Sequence, residues 1–375
     1  MLWLPWYMVY LIEGLVVALV VGFLALLAPR LVSGEPRSLW ALRASMLGSA
    51  IATLLVSVGI LYLVFYYLGT SISLGFVVVA ITIFLVLQWL LSPYIINSVY
   101  GARPISRSYE WLETEVKKLA ESSGLKSMPK LVIVDTKMPN AFAYGSPLTG
   151  NYIAVTKGLL ELLPPEEVKA VIGHELGHLK HKDVPMILAL SLLPTAVYFL
   201  GRTLVYWSLW GGFPGRSRRE GENSTLVYIA LGAVLLVTGF LLHFVVTHFN
   251  RLREYYADAN SALVTRNPKL LQRALARLHL AYTSNDKLRG ELESRKTVAM
   301  LFIVNYLIDL YGSRFHNSHT GLPRYVRDID EVVECLKREK TNSVIEVFST
   351  HPPIPKRLRF LDKLLIRYQE LLSIG

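Results

Sequence analysis

Five apolar runs set the limits on what this chain can fold into. They cover roughly Leu2–Ala28, Leu39–Leu68, Ile72–Leu91, Val184–Trp210 and Thr225–Phe249. Each is near or above the ~20 residues that a helix needs to cross a hydrocarbon core about 30 Å thick. In lipid a segment has to satisfy its backbone polar groups internally, so such runs fold as helices. With 53% hydrophobic and 18% charged residues, the chain is expected to be a multi-pass membrane protein. The first run has no basic residues ahead of it and is too long for a signal-peptide core, so it is expected to remain as a span. An uncharged Gly69-Thr70-Ser71 turn joins the second and third runs as a hairpin.

Charge sets the orientation and removes several function classes. The net charge of +11 falls mostly beside the apolar runs, which suits anionic lipid headgroups and argues against a nucleic-acid partner. Arg30, Arg37 and Arg43, then Arg103, Arg107, Lys117 and Lys118, then Arg251 and Arg253 all lie in the cytoplasm if the N-terminus is outside. Arg216, Arg218 and Arg219 then fall on the wrong side. Either Glu220 and Glu222 offset them, or the fourth and fifth runs form a hairpin that does not fully cross. The runs hold few ionisable residues, Glu13 and His243 among them, which argues against a transporter or channel. One cysteine, Cys335, excludes an internal disulfide framework and a cysteine-rich zinc site.

Between the runs the patterning changes. Trp111, Leu112, Val116 and Leu119 predict an amphipathic helix within Arg103–Met128, stopped by Gly124. Lys130–Asp135, Ala141–Tyr144 and Asn151–Thr156 read as strands, with Gly145, Pro147 and Gly150 in the turn between the last two. Pro164, Pro165, Glu166 and Glu167 open a further helix, and Asp183 caps the entry to the fourth run. Val298–Gly312 is short and contains Asn305 and Asp309, so it is expected to be a buried core helix. The expected fold is mostly helical α+β, with multi-pass transmembrane helices and a domain that contains a small β-sheet. Its expected divisions are a membrane region at 1–98, a first domain part at 99–183, two further spans or a hairpin at 184–250, and a second domain part at 251–375.

Within the helix that starts at Pro165 lies Gly173-His174-Glu175-Leu176-Gly177-His178, an H-E-x-x-H pattern. His174 and His178 are i and i+4, so their imidazoles leave one helix face and suit two nitrogen ligands on one zinc ion. Glu175 points further round and is placed to take a proton from an attacking water. A catalytic zinc needs a third protein ligand and an open position. The metzincin spacing fails, because His181 and Val184 stand where that pattern has glycine and histidine. Glu254 and Asp258, again i and i+4, offer a third ligand with a supporting carboxylate. His181, His248 and Asp258 are competitors for the third place, and an ordinary surface carboxylate pair is the plain reading of Glu254 and Asp258.

From about Tyr109 onward the chain resembles the HtpX-like membrane metalloproteases, relatives of the CAAX prenyl proteases. The resemblance rests on "PNAFAYG" (Pro139–Gly145), "HELGHLKHKD" (His174–Asp183), "REYYAD" (Arg253–Asp258) and "HPPIPKRLRFL" (His351–Leu361), in that order. It implies a gluzincin-like catalytic domain in which His174, His178 and Glu254 hold one zinc ion per subunit and Glu175 is the catalytic base. It further implies that His351 stabilises the oxyanion, that Asp258 and Arg357 support the site, and that Asn140, Ala141, Phe142 and Ala143 flank the substrate. Two departures stand out: three N-terminal spans where such proteins more usually have two, and Tyr144 where the motif usually has threonine. The expected protein is a cell-membrane zinc endopeptidase with its catalytic domain on the cytoplasmic side. Its expected substrates are unfolded or membrane polypeptides, in a quality-control role taken from the resemblance. A silent zinc-binding scaffold or chaperone and an intramembrane site-two-type protease are the alternatives. Glu175 argues against the first, and Lys169, Lys180, His181 and Lys182 around the motif argue against the second.

Overall fold

A computed structural model of the chain describes residues 73–105, 109–210, 222–285 and 328–373, together with most of 40–55. The first expected span, most of the second, the Gly69–Ser71 turn, the Arg216–Arg219 loop and the expected helix at 298–312 lie outside the described residues. In chain order the elements are α1 (Ser73–Tyr100), β1 (Arg103–Pro104), α2 (Glu110–Ser122), β2 (Lys130–Val134), β3 (Ala141–Ser146) and β4 (Gly150–Thr156). There follow α3 (Lys157–Leu162), α4 (Pro165–Lys180), α5 (Asp183–Trp210), α6 (Glu222–Thr265), α7 (Pro268–Ser284), α8 (Ile329–Arg338), α9 (Ser343–Phe348) and α10 (Ile354–Ser373). The fold is mostly helical α+β, as the sequence patterning predicts.

Among the described residues three helices, α1, α5 and α6, are long and apolar enough to cross a membrane. Compactness divides the described residues into two units. One includes Met186–Phe249. There α5 and α6 approach closely at small residues: a Cβ on Gly201 would lie 2.8 Å from the Gly232 carbonyl oxygen, and one on Gly239 would lie 2.7 Å from the Tyr198 nitrogen. Glycine at these points lets two backbones approach as bulkier side chains would not.

The other unit includes Leu87–Pro185 and the described residues from Asn250 on. Its sheet has the order β1-β2-β4-β3, with β2 and β4 parallel and the outer pairs antiparallel. Alternation along the strands gives the sheet two apolar faces. Leu131, Ile133, Ala141, Ile153 and Val155 join the main core with buried residues of α2, α4, α7, α8 and α10. Val132, Val134, Phe142, Tyr144 and Ala154 face the other way and pack against Ile96, Tyr100, Ala102 and Tyr152. Burial of both faces explains why Leu131–Val134 reads as a continuous apolar run.

The amphipathic helix expected within Arg103–Met128 forms at Glu110–Ser122. Arg103 and Pro104 pair with Ile133 and Val132 instead. Proline disfavours helix in the residue before it and is tolerated on an edge strand, which is where β1 lies.

Candidate active site

Helix α4 starts with Pro165 in its first turn and Glu166 and Glu167 beside it, the residues that suit a helix N-terminus. Its apolar face buries Val168, Val171, Ile172 and Leu176 in the main core. His174 and His178 leave the helix on an adjacent stripe, and Glu175 falls between that stripe and the apolar residues. The helix ends at Lys180, and Lys182 adopts a left-handed backbone (φ 52°) that turns the chain back at Asp183. Asp183 thereby returns to the helix it has just left.

Helix α6 lies against α4 at backbone distance. A Cβ on Gly177 would stand 2.8 Å from the Ala257 Cα, and one on Gly173 would stand 3.2 Å from the Ser261 Cα. Asn260 Nδ2 donates to the Gly173 carbonyl at 2.8 Å, and Ser261 Oγ donates to the Ala170 carbonyl at 2.6 Å. This close seam brings Glu254 up to the two histidines. His178 and Glu254 are 76 positions apart (254 − 178), so α5 and the apolar part of α6 leave from and return to one place.

His174, His178 and Glu254 each offer a ligand atom, all within 4.8 Å of one another. The Nε2 atoms of His174 and His178 are 3.2 Å apart, and each is 3.5 Å from an oxygen of Glu254. Three donors held about 2.1 Å from one tetrahedral ion are separated by about 3.4 Å, so the donor set fits zinc-sized coordination. Glu254 Oε2 is buried without a hydrogen-bond partner, a position that a cation would satisfy. His181 is turned elsewhere: its Nδ1 donates to the Gly177 carbonyl and its ring packs edge-on against Tyr256. Neither His181 nor His248 belongs to the cluster.

Behind each histidine stands a carboxylate paired with an arginine. Asp258 lies 2.9 Å from His174 Nδ1 and receives Arg357 through both nitrogens of a bidentate pair, at 2.6 and 2.9 Å. Asp183 lies 2.6 Å from His178 Nδ1 and 2.7 Å from Arg253. A carboxylate on Nδ1 holds the proton there and leaves Nε2 free to ligate. Burial works against a charge on His174, yet Asp258 and Glu254 outweigh it and raise its pKa to about 9 in the absence of an ion. Arg357, fully buried, stays charged because Asp258 and Glu254 more than offset its burial.

Glu175 is buried, and burial pushes its carboxyl above the usual carboxylate range; the two histidines and a hydrogen bond from the Ala143 backbone pull the other way. That backbone lies on β3, which pairs with β4 alone among the described strands. Thr156 N–H donates to the Asn140 carbonyl at 3.0 Å, so the antiparallel alternation turns the backbone groups of Ala141, Ala143 and Gly145 away from β4. The side chains of Asn140, Ala141 and Phe142 are buried, and that of Ala143 is half-buried. What this segment presents is therefore its main-chain edge.

His351 Nε2 is 3.5 Å from Glu254 Oε1, and its Nδ1 is 3.0 Å from Thr350 Oγ1. Burial lowers its pKa to about 4, so it is neutral near pH 7 and still able to donate an N–H. Its loop is clamped by Arg251, which donates through one nitrogen to the carbonyls of Glu346, Val347 and Ser349 at 2.7, 3.0 and 3.0 Å. Ser349 Oγ then bonds the His351 carbonyl at 2.7 Å.

Sequence reasoning did not find the parts played by Arg251, Arg253 and Asp183. The first two were read as basic flanks and the third as a helix cap. A signal did exist for Asp183, an acidic residue five positions beyond a metal-motif histidine and just past the end of its helix.

Residues 106–365 match the profile of Peptidase family M48. The chain is 51% identical to the Protease HtpX homolog of Aeropyrum pernix over 299 residues, which covers 80% of this chain and 88% of that one. It is 36% identical to the Protease HtpX homolog of Thermoplasma acidophilum over 334 residues, covering 86% and 97%. With the Protease HtpX homolog of Archaeoglobus fulgidus the identity is 35% over 362 residues, covering 96% and 98%. Among solved structures it is similar to Ste24p of S. mikatae at 19% identity and a TM-score of 0.46, covering 88% of this chain and 68% of that one.

Proposed function

This chain belongs to Peptidase family M48, and from that premise we propose that it is a zinc-dependent membrane endopeptidase, with one ion per subunit, that cleaves unfolded or damaged membrane polypeptides. The observation that supports this most is the cluster of His174 Nε2 and His178 Nε2, 3.2 Å apart, with one oxygen of Glu254 3.5 Å from the first and its other oxygen 3.5 Å from the second. A zinc ion bound there supplies Lewis acidity and makes hydroxide available near neutral pH.

The chain's own residues divide the remaining work. A polypeptide adds to the outer edge of β3, hydrogen-bonding the outward main-chain groups of Ala141 and the carbonyl of Ala143, whose N–H meets Glu175, so affinity comes with little demand on sequence. Glu175 takes the proton from water as it attacks the scissile carbonyl carbon, and then delivers a proton to the leaving amine. Its raised pKa suits a group that must hold that proton between the two steps. His351 donates to the oxygen that gains negative charge; one such donor is worth on the order of 3 kcal/mol. Asp258 with Arg357 and Asp183 with Arg253 hold the imidazoles in position. Residues 99–183 and 251–375 make the catalytic domain in this reading, with 1–98 and 184–250 in the membrane and the catalytic parts on the cytoplasmic side.

The test joins metal content to turnover. Purified protein should contain stoichiometric zinc and digest casein, and a chelator should abolish digestion. Glu175→Gln should keep the zinc and lose cleavage, whereas Glu254→Ala should lose both. Undiminished cleavage by Glu175→Gln would sink the mechanism.

A further inference from the structure

The β3–β4 hairpin ends in a turn, Ser146-Pro147-Leu148-Thr149, closed by Thr149 N–H on the Ser146 carbonyl and by the paired hydroxyls of the same two residues. Proline at the second place of such a turn is ordinary, and the third place usually takes a small polar residue or glycine. Here it is Leu148, 63% exposed. An isolated exposed leucine means little, but the position of this one relative to α1 is informative.

Contacts along β3 run backward along α1. Phe142 packs on Tyr100 with ring centroids 5.1 Å apart, and Tyr144 hydrogen-bonds Asn97. Further along the strand, the Gly145 carbonyl accepts from Trp89 Nε1 at 3.0 Å, and Ser146 Oγ donates to the Leu90 carbonyl at 3.2 Å. Each step along the strand therefore leads from the polar end of α1 toward its apolar run, which ends at Leu91. Pro147 and Leu148 continue in that direction, toward the level of the exposed Leu87. Trp89 stands where the apolar run gives way to polar residues, the depth that tryptophan favours in membranes. Met128, also exposed, and Lys130, which donates to the Thr149 carbonyl at 3.1 Å, lie at this same end of the sheet. The far end presents the exposed Asp135, paired with Lys157.

We propose that the Pro147–Leu148 tip is a membrane-contact element that inserts into the bilayer interface beside α1, with Lys130 at the level of the anionic headgroups. The inference rests on the membrane reading given above and adds a lipid-binding surface on the sheet. It also sets the height of the candidate active site. Ala143, whose backbone meets Glu175, is three strand residues above Ser146, about 10 Å at 3.3 Å per residue. A polypeptide leaving the bilayer along this edge is then cut a short, fixed distance from the surface. Trp89 occupies the Gly145 carbonyl, so pairing with the substrate starts at Ala143.

Single cysteines test this in a Cys335→Ser background. Leu148→Cys, Leu87→Cys and Asp135→Cys are labelled with NBD and reconstituted into phosphatidylcholine–phosphatidylglycerol vesicles carrying bromines on the acyl chains. The expected result is loss of most NBD emission at positions 148 and 87 and none at 135. Quenching at 87 without quenching at 148 overturns the proposal while leaving the membrane reading intact. No quenching at either overturns both. Blue-shifted emission at 148 that bromines do not quench places the tip against a second copy of the chain, and also overturns it.

Discussion

Replacing Gly177 with alanine adds one methyl group at the seam between the two helices that carry the candidate metal ligands. The new Cβ would lie 2.8 Å from the Ala257 Cα, 3.1 Å from the Asn260 Cβ and 3.2 Å from the Ala257 Cβ. These neighbours are backbone or the first atom of a side chain, so no flexible end can swing aside. To reach a tight but real contact of 3.4 Å, α6 has to move by about 0.6 Å (3.4 − 2.8). Glu254 is three residues from Ala257 on the same rigid helix and moves with it. Ligand distances tolerate about 0.2 Å, so a shift of this size should weaken zinc at least as much as loss of a supporting carboxylate does, about 10–100-fold. Helix propensity acts in the opposite sense, since alanine in a helix interior is favoured over glycine by about 0.5–1 kcal/mol. Overpacking costs about 1–3 kcal/mol, so unfolding stability should change little or fall while zinc affinity drops clearly. Competition with a chromogenic chelator measures the affinity, and thermal unfolding of the detergent-solubilised protein measures the stability. Zinc affinity within twofold of the parent, in a variant that is also more stable, would show that the seam does not set the ligand geometry.

Asp183→Asn should lower zinc affinity by about 10–100-fold and leave the helices intact, because it removes the charged support of His178 Nδ1; zinc titration with circular dichroism checks both parts. Arg251→Gln should retain zinc and reduce kcat by about 10–100-fold, less than or near the cost of deleting an oxyanion donor outright, since the loop before His351 loses its clamp; unchanged kcat would remove Arg251 from the machinery. His279 gives a pH dependence. Burial depresses its pKa from 6.5 to about 4, so below pH 6.5 the unfolded chain takes a proton that the folded chain refuses. Stability should therefore fall as pH drops from 6.5 toward 4, by about 3 kcal/mol in all (6.5 − 4 = 2.5 units), and His279→Leu should flatten that part of the profile.

Much of this was legible because it depends on local pattern. The strands at β2, β3 and β4 alternate or run apolar over the residues that form them, and α4 is marked by its prolines, its acids and its H-E-x-x-H spacing. Helix ends were less legible for one physical reason: hydropathy reports where lipid ends, not where the helix ends. Thus α1 continues past Leu91 to Tyr100, and α6 continues past Phe249 to Thr265, where Asn267 and Pro268 begin the next helix. The pairing of His174 with His178 could be anticipated from residue type and spacing, whereas Glu254 joined them as a ligand only through the family resemblance. Asp183 against His178, Arg253 against Asp183, and Arg251 against the 346–349 carbonyls could not, because each depends on how distant segments pack. Gly173 and Gly177 read as neutral spacers in the sequence, and only the approach of Ser261 and Ala257 gives them a role.

Between Arg251 and Asp258, two turns of α6 hold four separate parts of the site: the loop before His351, the Asp183 that backs His178, the metal cluster itself, and the His174–Arg357 pair. The partners of Asp258 and Arg251 on the C-terminal side lie 99 and up to 98 positions further along the chain. A ribosome-bound chain that has emerged only as far as Asp258 holds the three candidate ligands His174, His178 and Glu254, yet lacks both His351 and Arg357. The candidate site is thus completed only by segments up to 99 positions further along the chain.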